Sequence, residues 1–372
     1  MEQFNPFPIN KYIGDKYFCN RALESNSILS SLENGRNATI FSLRKMGKTG
    51  LISHLFAQKN KINSKYFDIL YTKNELEFTT ILIKHILPAI ESKPEKLIRW
   101  AKNIFSKINP TIEFDTITGQ PAVNFKLNDN DSGIQSLDEL FAFLKNWDGE
   151  LWIAIDEFQQ IVQYPESGLE ARLRSWIQFC PSIKWIFSGS QEDMLVSMFS
   201  DYGRAFYQSA DLLKLEPISK QEYIPFIMEH MKEGKRMVDE TVISSWYDKL
   251  KGHTYYVQYA MNHLYAVKPK NWNSRQYEEF FKEIIFRQEP YFVTYKNLLT
   301  SLQWKILEAV AQEGYVEKVQ SKDWLMRHKL GTPSSVSAAI KLLNKRELLA
   351  FDQQGYRLMN PLMEQWLKHI KT

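Results

Sequence analysis

Lys48 and Thr49, with Gly47 before them and Gly50 after, are the residues of this chain best suited to holding a phosphate chain. A lysine ammonium can neutralise outer phosphate oxygens and a threonine hydroxyl can join a Mg2+ shell. A glycine lets backbone N–H groups come close to an anion. They lie in Phe41-Ser42-Leu43-Arg44-Lys45-Met46-Gly47-Lys48-Thr49-Gly50, which fits GxxxxGK[ST] except that Ser42 stands at the first glycine position. Arg44 and Lys45, next to Met46, add two cations that are either phosphate contacts or solvated charges.

A second group completes the chemistry of phosphate-ester hydrolysis. Asp156 and Glu157 follow the apolar run Leu151-Trp152-Ile153-Ala154-Ile155. There Asp156 is suited to hold Mg2+ through water and Glu157 to polarise an attacking water. The other reading is a solvated acidic turn, but adjacent carboxylates directly after a buried strand repel unless cations offset them. Ser188 and Ser190 end the next apolar run, where a hydroxyl could sense a terminal phosphate; a plain strand exit with small residues explains Ser-Gly-Ser nearly as well. Arg204 is either a surface or salt-bridged cation, or an arginine finger offered to a neighbouring subunit.

These residues need strands and helices to place them. Ala38-Thr39-Ile40 reads as a strand before the phosphate loop, and Leu51-Ile52-Ser53-His54-Leu55-Phe56-Ala57 as an amphipathic helix after it. Lys65 to Tyr71 is a second strand candidate, and helical spacing then runs from Leu76 to about Phe105. Alternating polarity at 111–115 and 122–126, around Thr118-Gly119-Gln120-Pro121, predicts a hairpin. Helices at 137–147, 168–180 and 192–199 alternate with strands at 151–155, 183–187 and 212–215, which predicts a parallel α/β domain up to about residue 216. The spacing is helical from Ser219 to about Pro290. Short helices at 302–312, 322–328 and 333–344, closed by a hairpin around Gln353-Gln354-Gly355 and followed by a helix from Pro361 to Ile370, predict a winged helix.

Composition bounds the class. The chain has 372 residues, 44% of them apolar, enough for more than one globular core. No run of 18 apolar residues occurs, and the opening Met1-Glu2-Gln3-Phe4-Asn5-Pro6 shows no basic or apolar leader. The expectation is therefore a cytoplasmic protein with no membrane partner. Cys19 and Cys180, far apart and without metal-type spacing, are expected as reduced thiols. The net charge of +4 is uneven, with 12 Lys and Arg against 7 Asp and Glu from Lys296 onward. A basic C-terminal segment is a candidate for DNA or simply a soluble surface.

Phe18-Cys19-Asn20-Arg21-Ala22-Leu23-Glu24, Leu43 to Thr49, Ile155-Asp156-Glu157-Phe158-Gln159, Phe187-Ser188-Gly189-Ser190 and Gly203-Arg204-Ala205 follow one another in an order that resembles the prokaryotic archaeal-type ATPases. That family lies close to the STAND branch of AAA+ proteins. The likeness continues through Gly252-His253-Thr254-Tyr255-Tyr256-Val257-Gln258 to Tyr356-Arg357-Leu358-Met359-Asn360-Pro361-Leu362. It implies a P-loop AAA+ parallel-sheet core over residues 1–216, with a hairpin insertion at about 107–134. It also implies an α-helical lid at 217–295 and a C-terminal winged-helix domain at 296–372.

The resemblance further implies a nucleotide-dependent switch that binds ATP with Mg2+ and turns it over to ADP. Phe18 and Arg21 would lie near the adenine, although local sequence alone reads them as a core aromatic and a surface cation, and the Gly252 segment would supply the lid contact. Two positions depart from the family pattern: Ser42 replaces glycine and Thr254 stands where proline is common. The alternative reading is a DNA-binding protein with a slow or structural nucleotide site. Its candidate recognition helix, Ser334 to Lys341, offers no Arg, Asn or Gln for base contacts, which leaves non-specific phosphate contact through Lys341, Lys345, Arg346 and Arg357. A protein partner or a homo-oligomer is the other expectation for this domain.

Overall fold

The computed structural model describes residues 4–114, 121–126, 130–352 and 354–370. The expected Thr118-Gly119-Gln120 turn, Gln353 and the extreme termini lie outside them. The chain divides into two compact units, one from Tyr12 to Glu216 and one that joins the residues after Glu216 to the opening segment up to Lys11.

In the first unit the strands are β1 (Asn37–Phe41), β2 (Asn63–Asp68), β3 (Asn109–Phe114), β4 (Pro121–Lys126), β5 (Leu151–Asp156), β6 (Ile183–Gly189) and β7 (Ala210–Lys214). Five of them form one sheet in the order β2-β5-β6-β1-β7, every neighbouring pair parallel. Because this order departs from chain order, the strands are joined by crossovers, which α1 (Ala22–Glu33), α2 (Lys48–Gln58), α3 (Glu75–Ile90), α4 (Pro94–Ile104), α5 (Asn130–Lys145), α6 (Leu169–Gln178) and α7 (Glu192–Ser200) supply or flank. The β3–β4 pair is antiparallel and separate from the sheet, at the position expected for the hairpin.

Strand parity divides the core in two. Leu151, Ile153 and Ile155 pack with Trp185, Phe187, Phe78 and Phe141 on one face. Trp152 and Ala154 pack with Ile186, Ile40, Leu51 and Leu55 on the other. Every residue of β5 is buried, as a strand covered on both faces requires. The second face is the side of α2, so Asp156 and Ser188, which continue its parity, end on the same side as Thr49.

The expected helix from Leu76 to Phe105 is two helices, α3 and α4, separated at Glu91-Ser92-Lys93. Pro94 opens α4. A proline has no N–H to continue the preceding ladder but fits a first helical turn, so the apolar periodicity persists while the helix restarts. Periodicity also did not show the 3-10 turn at Phe158–Gln163, which follows Glu157 directly.

The second unit contains α8 (Lys220–Glu233), α9 (Glu240–Lys249), α10 (Thr254–Val267), α11 (Ser274–Phe286), α12 (Glu289–Leu298), α13 (Ser301–Glu313), α14 (Lys322–Arg327) and α15 (Pro333–Lys345). The hairpin β8 (Leu349–Asp352) with β9 (Gly355–Leu358) and the closing helix α16 (Pro361–His369) follow. Three helices and a hairpin, with Val316 bridging Tyr356 as a short third strand, are the winged-helix arrangement. Lys251, after α9, ties the helical segment to it: its ammonium meets Glu364 on α16 at 2.6 Å and donates to the Gly314 carbonyl at 3.0 Å. Glu364 is 1% exposed and also meets Lys368 at 2.8 Å, so two cations flank this buried carboxylate.

Cys19 and Cys180 are both buried, neither in a disulfide, and burial pushes the Cys180 thiol up to about 11. No helix of the described residues is long and apolar enough to cross a membrane.

Candidate functional site

The phosphate loop leaves β1 at Phe41 and turns into α2 at Gly47, whose φ of 103° lies in the left-handed region that favours glycine. Gly47, the N-cap of α2, has no side chain to cap the helix, and the N-terminus it opens is the end of a helix that suits an anion. Lys48, 6% exposed, folds back over the loop: its Nζ donates to the Ser42 carbonyl at 3.2 Å and to the Ser42 hydroxyl at 3.4 Å. The Ser42 hydroxyl in turn donates to the Leu43 carbonyl at 3.0 Å. Met46 is buried and anchors the loop, whereas Arg44, Lys45 and Thr49 are exposed.

Asp156 ends β5 facing Thr49, whose hydroxyl donates to Oδ2 at 3.4 Å. The Tyr66 hydroxyl donates to the same oxygen at 2.5 Å and lies 3.2 Å from the Thr49 hydroxyl. Burial, with the neighbouring Asp156 charge, holds the Tyr66 phenol far above its ordinary pKa, so it remains a donor. Oδ1 of Asp156 accepts from the Ser188 hydroxyl at 2.6 Å and from the Glu157 N–H at 3.0 Å. Ser188 is fully buried, and its hydroxyl is spent on the carboxylate rather than left for a phosphate.

Glu157 takes a left-handed φ of 54° as the chain turns out of the strand. Its Oε2 accepts from the Ser190 N–H at 3.2 Å, the Ser190 hydroxyl at 2.9 Å and the Gln159 amide at 2.6 Å. Asp68, at the end of β2, is in register with Asp156. Burial raises its pKa and the two neighbouring carboxylates add to that, while its Leu70 N–H bond and the Arg44 charge oppose it.

Phe18 stacks on the His54 ring with centroids 4.2 Å apart, and Tyr12 meets both edge-on while its hydroxyl lies 3.1 Å from His54 Nδ1. Gly50 faces Phe18, since a Cβ there would lie 3.7 Å from that ring. Arg21 is not a surface cation. It is 5% exposed, and it donates to the Glu216 carbonyl at 2.7 Å, to Glu24 at 2.6 Å and to the Met46 carbonyl at 3.5 Å. It thereby clips the phosphate loop to the chain leaving β7. Arg204 makes a two-point contact with Glu170 on α6, at 2.7 Å and 3.2 Å.

Lys48, Thr49, Asp156, Glu157, Ser188 and Ser190 are thus brought to one end of the sheet, while Arg204 is engaged with α6. Sequence reasoning missed Tyr66, Gln159, Tyr12 and His54. Tyr66 has a signal only once β2 is known to lie beside β5, which strand order decides. Gln159 stood in view as one of two glutamines between Phe158 and Ile161, with nothing in the local pattern to single it out from Gln160.

On the winged helix, Lys341 and Lys345 are exposed. Arg357 is tied to Asp352 at 2.7 Å, and Arg346 donates to the Leu298 carbonyl at 3.0 Å.

A family model described as a probable winged helix domain matches residues 290–369. The chain is similar in structure to the Walker-type ATPase PABY2304 of Pyrococcus abyssi, at 19% identity over 98% of this chain and 99% of that one, with a TM-score of 0.66. It is also similar to the Aeropyrum pernix ORC1 protein solved in complex with DNA, at 11% identity over 95% of this chain and 93% of that one, with a TM-score of 0.52. No curated protein matches. At these identities the likeness is one of fold: this chain shares the parallel-sheet core of those structures and carries a C-terminal winged helix, as the sequence led us to expect.

Proposed function

We propose that this chain binds ATP with Mg2+ and hydrolyses it to ADP and phosphate as a nucleotide-dependent switch. One observation carries the reading: a lysine, a threonine and two carboxylates meet at the ends of the adjacent strands β1, β6 and β5, beside the N-terminus of α2. Lys48 would exchange Ser42 for phosphate oxygens. Thr49 and Asp156, already 3.4 Å apart, fit a Mg2+ ion that takes few protein ligands and keeps phosphate and water for the rest. Bound there, the ion would offset phosphate charge.

Glu157 would take a proton as the attacking water bonds to the terminal phosphorus. The bond to the bridging oxygen breaks and its electron pair leaves on ADP. The Phe18–His54 stack offers a flat apolar surface suited to a purine. Contacts to the terminal phosphate that ADP cannot make, through Lys48 and Ser190, would bias the conformation and so form the switch.

The test is thermal unfolding with and without Mg-ATP. A hundredfold excess over the dissociation constant stabilises the wild type by about 2.7 kcal/mol, and Lys48→Ala abolishes the gain. An unchanged wild-type melting temperature would sink the assignment.

A second reading, DNA binding through the winged helix, draws on the +5 balance from Lys296 onward and on the exposed Lys341 and Lys345. The fold it shares with ORC1, solved with DNA, adds to it. Against it, Arg346 and Arg357 are already engaged within the chain. Turnover measured with and without DNA at two salt concentrations separates the readings, because phosphate contacts weaken steeply with salt.

A further inference from the structure

Glu157 gathers three donors on one carboxylate oxygen, and among the described residues its Oε1 receives none. The donors are not equivalent. Two belong to Ser190, at the end of β6, where the terminal phosphate of a bound nucleotide would compete for them. The third, the Gln159 amide at 2.6 Å, comes from the turn behind Glu157 and is out of reach of any ligand, since Gln159 is 1% exposed.

Gln159 is also confined. Its Oε1 is buried with no hydrogen-bond partner, an arrangement that costs free energy and calls for a compensating role. Gly189 lies against it so closely that a Cβ at that position would be 2.0 Å from Gln159 Oε1. The glycine between Ser188 and Ser190 therefore makes room for this side chain.

We propose that Gln159 is a positioning residue for Glu157: its amide fixes the rotation of the carboxylate and keeps Oε1 turned to the attacking water after Ser190 has been drawn to the terminal phosphate. The inference rests on the ATPase reading and deepens it. Gln159 touches neither nucleotide nor water and acts only through Glu157.

The experiment compares wild type, Gln159→Leu and the isosteric Gln159→Glu, each alone and combined with Glu157→Gln, in steady-state Mg-ATP turnover and in thermal shift with Mg-ATP. A well-oriented base contributes about 10²–10⁴ in rate, so we expect kcat to fall about 10-fold or more in both single variants, with KM and the Mg-ATP melting shift unchanged. In the Glu157→Gln background, neither substitution should lower kcat further, because the group it positions is already gone. A purely structural role would lower the melting temperature and leave losses that multiply across the pair. Multiplying losses, or unchanged kcat in both single variants of an active wild type, would overturn the inference. If the wild type itself shows neither turnover nor a Mg-ATP melting shift, it is the ATPase reading that falls.

Discussion

The Lys48 ammonium is held by Ser42, the residue at the first glycine position of the loop, through both its carbonyl at 3.2 Å and its hydroxyl at 3.4 Å. A glycine at this position would keep the carbonyl contact and lose the hydroxyl. Ser42 is 1% exposed, so the contact is made away from water and competes directly with a phosphate.

Ser42→Gly is therefore expected to tighten Mg-ATP binding. A net hydrogen bond is worth about 0.5–1.5 kcal/mol, and the long hydroxyl contact belongs at the low end, which makes the gain about two- to fivefold. Titration calorimetry of the two proteins checks this. Equal or weaker binding by the variant would show that Ser42 does not restrain Lys48.

Glu157→Gln is expected to retain nucleotide binding and lose turnover. The amide keeps the shape of the side chain and can still accept from Ser190, but it cannot take a proton from water. Thermal shift and phosphate release, measured on one preparation, report the two properties separately. Retained turnover would remove Glu157 from the catalytic role and direct attention to Asp156.

How much of this was legible beforehand differs between the frame and its details. The wholly apolar Leu151 to Ile155 run led to a strand buried on both faces, and it is one. The Gly47-Lys48-Thr49 triplet led to a loop at a helix start, and α2 begins at Lys48. Both signals are local. The Tyr66–Asp156 contact joins residues far apart in sequence, and it depends on β2 lying next to β5, which local patterning does not encode. Arg21 misled for a related reason. Its surroundings, Asn20 and Glu24, read as surface, but besides Glu24 its partners are backbone carbonyls at Met46 and Glu216, which only the closed fold presents.

His54 gives a pH dependence with a definite sign. Burial lowers its pKa below the ordinary 6.5, and the exposed Asp15 carboxylate, 3.7 Å away, opposes the shift without cancelling it. The folded state thus binds a proton less readily than the unfolded chain. Stability should be full above about pH 6.5 and decline as pH falls from there toward the folded-state value. Melting curves between pH 7.5 and 5 should show the decline, and His54→Gln should lessen it, the rest belonging to His85, His263 and His369, whose pKa burial also lowers. An imidazole that titrates by NMR at or above the ordinary value would contradict the burial argument.

Arg204 decides between a self-contained molecule and an assembly. Its guanidinium lies on Glu170 at two points, and both side chains are partly exposed, at 30% and 22%. A pair of this kind contributes about 0.2–1 kcal/mol. If the pair is structural, Arg204→Ala and Glu170→Ala lower the melting temperature by similar small amounts, turnover survives in both, and specific activity is independent of protein concentration. An arginine finger behaves otherwise: its removal costs about 10³ or more in rate, activity rises with concentration, and an Arg204→Ala chain mixed with a Glu157→Gln chain recovers turnover. The two-point contact with Glu170 leads us to expect the structural outcome, with Arg204→Ala keeping most of its rate. A large loss that the Glu157→Gln chain rescues would instead place Arg204 at a neighbour's phosphate and make assembly part of the mechanism.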